Sequence, residues 1–216
     1  MQAEAGDRRV LAERISARVS QAGARVDAEV AEALARYLAL LFRWNGRMNL
    51  TGLTDDDAGL DRLVVEPVVA ASRLAVGQLR VIDIGSGGGS PAVPMRLARV
   101  DVRLRMVESK SRKAAFLREA VRALALAGSE VIRSRYEEWA GEVGEEDRAD
   151  VVTVRGVRLD GSGFTALARM LNGGGRVFLF EGERAETVEV PEFLIEGSFP
   201  LVEALRSRLT VLVKRI

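Results

Sequence analysis

A chain of 216 residues with 48% hydrophobic composition can bury roughly 70% of its unfolded surface, enough for one compact domain with an N-terminal extension. It contains no Cys and no His, which excludes thiolate nucleophiles, disulfides, Ser-His-Asp triads, His general bases and the usual zinc ligand sets, so no metal site is expected. With 32 basic and 31 acidic residues the net charge is only +1, and no global field declares a nucleic-acid partner.

The N-terminal MQAEAGDRRV is charged where a signal peptide needs an apolar core, and no stretch approaches the roughly 18 apolar residues of a membrane helix. A cytoplasmic protein without membrane contact is expected. Residues 10–53 read as two helices broken near Gly23. Val30, Leu34, Tyr37, Leu38 and Leu41 form one apolar stripe at helical spacing. Asn45-Gly46 reads as the turn that ends the second helix, and Thr54 or Asp55 as the cap of a mostly apolar helix over 58–75.

After Gly77 strands alternate with helices. Arg80 to Ile84 reads as a buried strand, 92–99 as a helix, Val102 to Val107 as a strand, and 111–127 as a helix with Phe116, Leu117, Ala120, Val121 and Leu124 inward. Val131-Ile132, Val151 to Val154 and Val177 to Phe180 supply further strands. Phe193 to Ile195 and Leu209 to Val213 add two more, for which an antiparallel sheet edge is expected. This succession predicts an α/β fold with a mainly parallel, doubly wound, Rossmann-like sheet. The domain boundary falls at 76/77, with residues 1–76 a helical extension packed on the core domain of 77–216. Charge is uneven: residues 96–135 hold eleven Lys/Arg against four acids, whereas 137–150 and 181–203 are acidic. Separate basic and acidic faces follow, readable either as solvated helix faces or as an RNA-binding face.

The segment VIDIGSGGGSPAVP (81–94) is a strand running into a glycine loop and a helix. Gly85, Gly87 and Gly89 let the backbone turn tightly and approach a ligand, and the helix-start amides favour an anionic or carboxylate group. The phosphate-cradling pattern GxxxxGK[ST] fails for want of its Lys, and the dinucleotide pattern GxGxxG finds Ser90 where it needs Gly. Asp83, two residues before the first glycine, would repel a pyrophosphate but attracts a cationic cofactor. Glu108 closes the next strand, 23 residues after Gly85, where a carboxylate accepts hydrogen bonds from two ribose hydroxyls. Asp83, the glycine loop and Glu108 therefore read as a site for S-adenosylmethionine. Other residues have two readings. Trp44 and Trp139 are either stacking platforms or core aromatics, and Asn49 either touches substrate or bonds its own turn. Arg155, ending an apolar strand at the carboxyl edge of the sheet, sits where open α/β sheets bind ligands.

The ordered segments NLT (49–51), DIGSGGGSPAVP (83–94), ESKSRKAAFL (108–117), SRYEEW (134–139) and VRG (154–156) resemble the signatures of the bacterial 16S rRNA guanine-N7 methyltransferases, the RsmG or GidB family, from about residue 30 onward. The resemblance implies a class I S-adenosylmethionine-dependent methyltransferase fold with an N-terminal helical extension, and methylation of a guanine in the decoding-region loop of 16S rRNA or the small ribosomal subunit. It also implies that Gly85 and Ser90 lie at the cofactor loop, Glu108 at the ribose, Tyr136 and Glu137 around the adenine, and Arg155 near the methyl-transfer pocket. Direct in-line transfer fits a chain without His or Cys, because guanine N7 already carries its lone pair and needs alignment, not deprotonation. The chain departs from the family in three places. EPVVAAS (66–72) replaces an H-x-x-D-S pattern, Glu181 stands where Lys is usual, and Ser90 replaces a bulky residue. Two rivals are a non-catalytic relative that binds rRNA through residues 96–135 and a methyltransferase of another substrate. A nicotinamide oxidoreductase fits least. Oligomeric state has no sequence signal, and a monomer is the default.

Overall fold

A computed structural model describes residues 2–182 and 190–216, with side chains from Gly6 onward. Residues 183–189, part of the second acidic run, lie outside the described residues. Two long helices open the chain, α1 (Gln2–Gln21) and α2 (Ala28–Met48), separated at Gly23, which takes a left-handed φ of 80°. Asp27 caps α2 through its side chain on the Val30 amide. The helix does not end at Asn45-Gly46 as the turn pair suggests. It runs to Met48 and stops at Asn49, whose φ of 48° is left-handed and whose amide reaches the Asn45 carbonyl. Asn45 instead takes the Thr51 amide on its side chain, tying down the loop that follows. The next helix is capped by Asp56 on the Gly59 amide, not by Thr54 or Asp55, and Thr54 serves by donating its hydroxyl to the Asp56 carboxylate.

That helix has three joined parts: α3 (Asp57–Leu60), a wide turn at Asp61–Val65 with i to i−5 bonding, and α4 (Glu66–Ala71). Two arginines of α1 lock onto it. Arg18 makes a two-pronged pair with the buried Asp61, both bonds 2.6 Å, and Arg14 bonds Asp57.

The strands β1 (Leu79–Ile84), β2 (Val102–Val107), β3 (Ser129–Ile132), β4 (Ala149–Arg155), β5 (Leu171–Glu181), β6 (Phe193–Pro200) and β7 (Arg208–Lys214) form one seven-stranded sheet of order 3-2-1-4-5-7-6. The first five are parallel, and β7 is the antiparallel strand. It lies one place in from the edge, between β5 and β6, so the edge pairing itself is antiparallel. Helices α5 (Ala92–Ala98) and α6 (Ser111–Ala123) pack with α1 and α2 over one face, where Tyr37, Leu38, Leu41, Met106, Phe116 and Phe178 are fully buried. Helices α7 (Tyr136–Trp139) and α8 (Gly161–Met170) cover the other face around Ile82, Ile84 and Val152. Both tryptophans belong to this packing: Trp139 is buried and Trp44 meets Phe116 edge to face with ring centres 5.8 Å apart.

Several members of the basic run are engaged within the fold, whereas Arg103, Lys110, Arg112, Arg118 and Arg133 are exposed. Arg96 is buried and donates to the Ala127 carbonyl, Arg99 pairs with Asp101, and Arg122 with Glu119. Arg105 bridges Glu130 and Asp147, so a residue of the basic run is held by one from the acidic run. No described helix is long and apolar enough to cross a membrane.

Candidate active site

The parallel order reverses between β1 and β4, and the carboxyl ends of β1, β2 and β4 meet there. Asp83 pairs in register with Met106 on one side and Thr153 on the other, which places its side chain in the centre of the sheet. It is fully buried. Thr153 donates its hydroxyl to Oδ1 at 2.6 Å, and Oδ2 accepts nothing from any described residue. Loss of hydration pushes this carboxyl up to about 6, against the opposing influence of the Ser86 and Thr153 hydroxyls.

Past Asp83 the chain turns through Gly85, Gly87 and Gly89, all with positive φ, and Ser86 donates its hydroxyl back to the Asp83 carbonyl. Glu108 follows β2 and is buried. Its Oε2 accepts the Gly87 amide at 2.9 Å and its Oε1 the Lys110 amide at 2.7 Å. One carboxylate thus fixes the glycine loop against the start of α6 while each oxygen keeps a spare acceptor position.

The glycine loop is also held from outside the sheet. Helix α2 presses on it, and a Cβ at Gly88 would lie 3.0 Å from Leu41, tight enough that the leucine would have to shift. The buried Tyr37 donates its hydroxyl to the Gly88 carbonyl at 2.7 Å. Burial holds this phenol protonated, its pKa pushed well above the usual range, so it acts here as a donor. In sequence Tyr37 reads only as a member of an apolar stripe. The one signal available was its hydroxyl, which needs a partner once the ring is buried.

Two carbonyls of the wide turn serve the site because the helix gives them up. The Glu66 amide reaches back five residues to Asp61, leaving the Arg62 carbonyl free. Pro67 has no amide to offer the Leu63 carbonyl. Arg155 donates to the first and Ser90 to the second, the latter at 2.7 Å. The Ser90 hydroxyl is therefore committed to the helix beneath the loop. Arg155, at the end of β4, is largely buried, with Glu66 3.6 Å away and the Phe180 ring 5.9 Å from its guanidinium carbon. Glu66 is 1% exposed, and burial pushes its carboxyl up while it pulls the Arg155 guanidinium down. Each charge makes the burial of the other tolerable. The sequence signal for Glu66 was its place at the head of EPVVAAS.

Gly87 and Glu108 are thus bonded directly, Asp83 and Gly85 lead into the same loop, and Arg155 stands at the next strand end. Tyr136 and Glu137 begin α7 one strand further out, with Tyr136 half-buried near Gly163 and Glu137 exposed and paired with Arg135. Asn49 is exposed and its left-handed backbone closes α2, which explains its presence without a ligand. The donor set suits S-adenosylmethionine. A buried carboxylate oxygen without a partner among the described residues can meet a cationic amino group, and Glu108 has acceptor capacity for ribose hydroxyls.

The fold has relatives among solved structures. TrmN from Thermus thermophilus is 19% identical with a TM-score of 0.54 over 68% of this chain and 48% of that one. A mutant of MtNAS solved in complex with S-adenosylmethionine is 14% identical with a TM-score of 0.56, covering 88% and 79%. The architecture is that of the class I methyltransferases. A family model described as rRNA small subunit methyltransferase G, GidB, matches residues 30–194. The "Ribosomal RNA small subunit methyltransferase G" of Stenotrophomonas maltophilia (strain K279a) is 36% identical over 173 residues, 77% of this chain and 76% of that protein. "Ribosomal RNA small subunit methyltransferase G 1" of Syntrophobacter fumaroxidans is 33% identical over 167 residues, 76% of each. With this fold, this loop and these relatives, the chain belongs to the rRNA small subunit methyltransferase G family.

Proposed function

We propose that the chain transfers the methyl group of S-adenosylmethionine to N7 of a guanine in 16S rRNA, acting as a monomer on the small ribosomal subunit in the cytoplasm. Residues 77–216 form the methyltransferase domain, and residues 1–76 form a helical extension that braces it. The observation that carries this reading is the Glu108 carboxylate, tied to Gly87 and Lys110 at the carboxyl ends of β1 and β2, in a member of an rRNA methyltransferase family.

S-adenosylmethionine supplies a methyl group on a positively charged sulfonium, an electrophile that guanine N7 attacks without prior deprotonation. The protein's work is therefore binding and alignment. Glu108 takes the ribose hydroxyls on the acceptor positions its two amide partners leave open. Asp83 places negative charge opposite the cofactor's amino group, with Thr153 fixing its Oδ1. Gly85 and Gly87 admit the ligand to the backbone, and Ser90 supports the loop through Leu63. Tyr136 and Glu137 border the adenine from the start of α7. Arg155, held by Glu66 and the Arg62 carbonyl, fixes the far wall at the end of β4.

The test is transfer of labelled methyl to unmodified small subunits, with large subunits and bulk tRNA as controls. Label is expected in small-subunit rRNA alone and is lost in Glu108→Ala. Equal labelling of all three RNAs, or wild-type transfer by Glu108→Ala, would overturn the reading.

A further inference from the structure

A cavity of about 340 Å³ lies beside the glycine loop, on the sheet face covered by α8. Its floor is the open surface of β5, β7 and β6, and its roof is the 156–159 loop that follows Arg155. Val157 belongs to that roof and also touches the glycine loop, since a Cβ at Gly85 would meet it at 2.5 Å. The cavity and the proposed cofactor loop therefore share a wall. The volume is within the usual range for a small-molecule or single-base pocket.

Leu179, Ile195, Leu212 and Phe164 give the cavity an apolar wall, and Arg158, Ser198, Thr210 and one acid give it polar groups. Glu181 ends β5, and its Oε2 accepts the Thr210 hydroxyl from the neighbouring strand at 2.5 Å. Its Oε1 accepts no hydrogen bond from any described residue. A carboxylate anchored by one oxygen on a strand, with the other directed to no partner among the described residues, is a fixed acceptor at the end of this cavity.

Resting on the function proposed above, we infer that this cavity receives the target base and that Glu181 reads it as guanine. Guanine presents two donors side by side, N1–H and the N2 amino group, to which one carboxylate is complementary. Adenine presents an acceptor at N1 and no amino group at C2, so the same carboxylate repels it. Single-stranded bases are commonly recognised in this way, splayed out between apolar side chains and bonded along the Watson–Crick edge. Guanine's N7 lies on the edge opposite N1 and N2. A base held by Glu181 at the end of β5 presents N7 away from that strand, leaving it free for the methyl group.

The test compares methyl transfer to small-subunit rRNA assembled with either guanosine or inosine at the modified position, by wild type, Glu181→Ala and Glu181→Gln. Inosine keeps N1–H and lacks the N2 amino group. Wild type is expected to favour guanosine about tenfold or more in kcat/KM, the scale on which a lost base-edge hydrogen bond is felt. In Glu181→Ala the preference is expected to collapse to within about threefold, with Glu181→Gln between the two, while S-adenosylmethionine affinity stays unchanged in both variants. An undiminished guanosine preference in both variants, or wild-type kcat/KM in Glu181→Ala, would overturn the assignment of Glu181. Absence of any transfer by the wild type would instead overturn the function on which it rests.

Discussion

Asp83 is held in a state that is costly for folding and useful for binding, and Asp83→Asn separates the two. Its carboxyl is raised from the ordinary 3.8 to about 6 because burial penalises the charged form. A raised carboxyl gives stability that is fully present below the unfolded value and is lost as pH rises through the folded one. The difference between 3.8 and about 6 corresponds to about 3 kcal/mol of folding free energy missing at neutral pH. Between about pH 4.5 and about pH 8, roughly 2 kcal/mol of that cost develops. Asparagine carries no charge, and its Oδ1 can keep the Thr153 hydroxyl. The useful quantity is therefore the stability of the variant relative to wild type, measured by urea unfolding at both pH values so that shared titrations cancel. It is expected to improve by about 2 kcal/mol on going from about pH 4.5 to about pH 8. At about pH 8, where the wild-type carboxylate is ionised, S-adenosylmethionine affinity of the variant is expected to be at least about tenfold weaker, for want of the carboxylate charge. A stability difference that does not move with pH would refute the burial argument. Unchanged cofactor affinity would refute the placement of Asp83 opposite the amino group.

Three further substitutions probe the support of the loop and of the helix beneath it. Tyr37→Phe strands the Gly88 carbonyl and should cost about 1–2 kcal/mol in unfolding experiments, with a several-fold loss of cofactor affinity measured by titration; Ser86→Ala is the comparison, since it leaves the α2 contact intact. Ser90→Ala leaves the Leu63 carbonyl, already without a Pro67 donor, unsatisfied; a thermal midpoint lowered by several degrees is expected, and an unchanged one would mean that another donor takes its place. Gly59→Ala places a Cβ 1.9 Å from the Thr54 carbonyl oxygen; it should destabilise by about 3 kcal/mol or more, because backbone rather than a flexible side chain must give way.

The sheet was legible in the sequence because each strand carries its own local signal. The apolar run Val102 to Val107 and the glycine loop after Ile84 declare themselves within a few residues. Signals that depend on a distant partner were not legible. The Asn45-Gly46 pair reads as a turn, yet α2 passes through it because Tyr37, Leu38 and Leu41 are buried along the same helix and Asn49 supplies the left-handed stop. The basic run 96–135 reads as a face, yet Arg99 is paired with Asp101 inside the run and Arg105 with Asp147 from the acidic run that composition counts elsewhere. At the site, Asp83, Gly85, Gly87 and Glu108 stood out because a parallel strand pair brings successive strand ends together. Ser90 stood out too, but its hydroxyl turns toward Leu63. The Tyr37 contact with Gly88 and the Glu66 contact with Arg155 join residues 51 and 89 positions apart, which leaves no periodicity to read.

The most direct test of the central claim is nucleoside analysis of rRNA from unmodified small subunits incubated with the protein and S-adenosylmethionine. The expected result is 7-methylguanosine at a single position of 16S rRNA, absent when Glu108→Ala replaces the wild type. A methyl group on another base or another atom of guanine, or none in a protein that binds the cofactor, would contradict it.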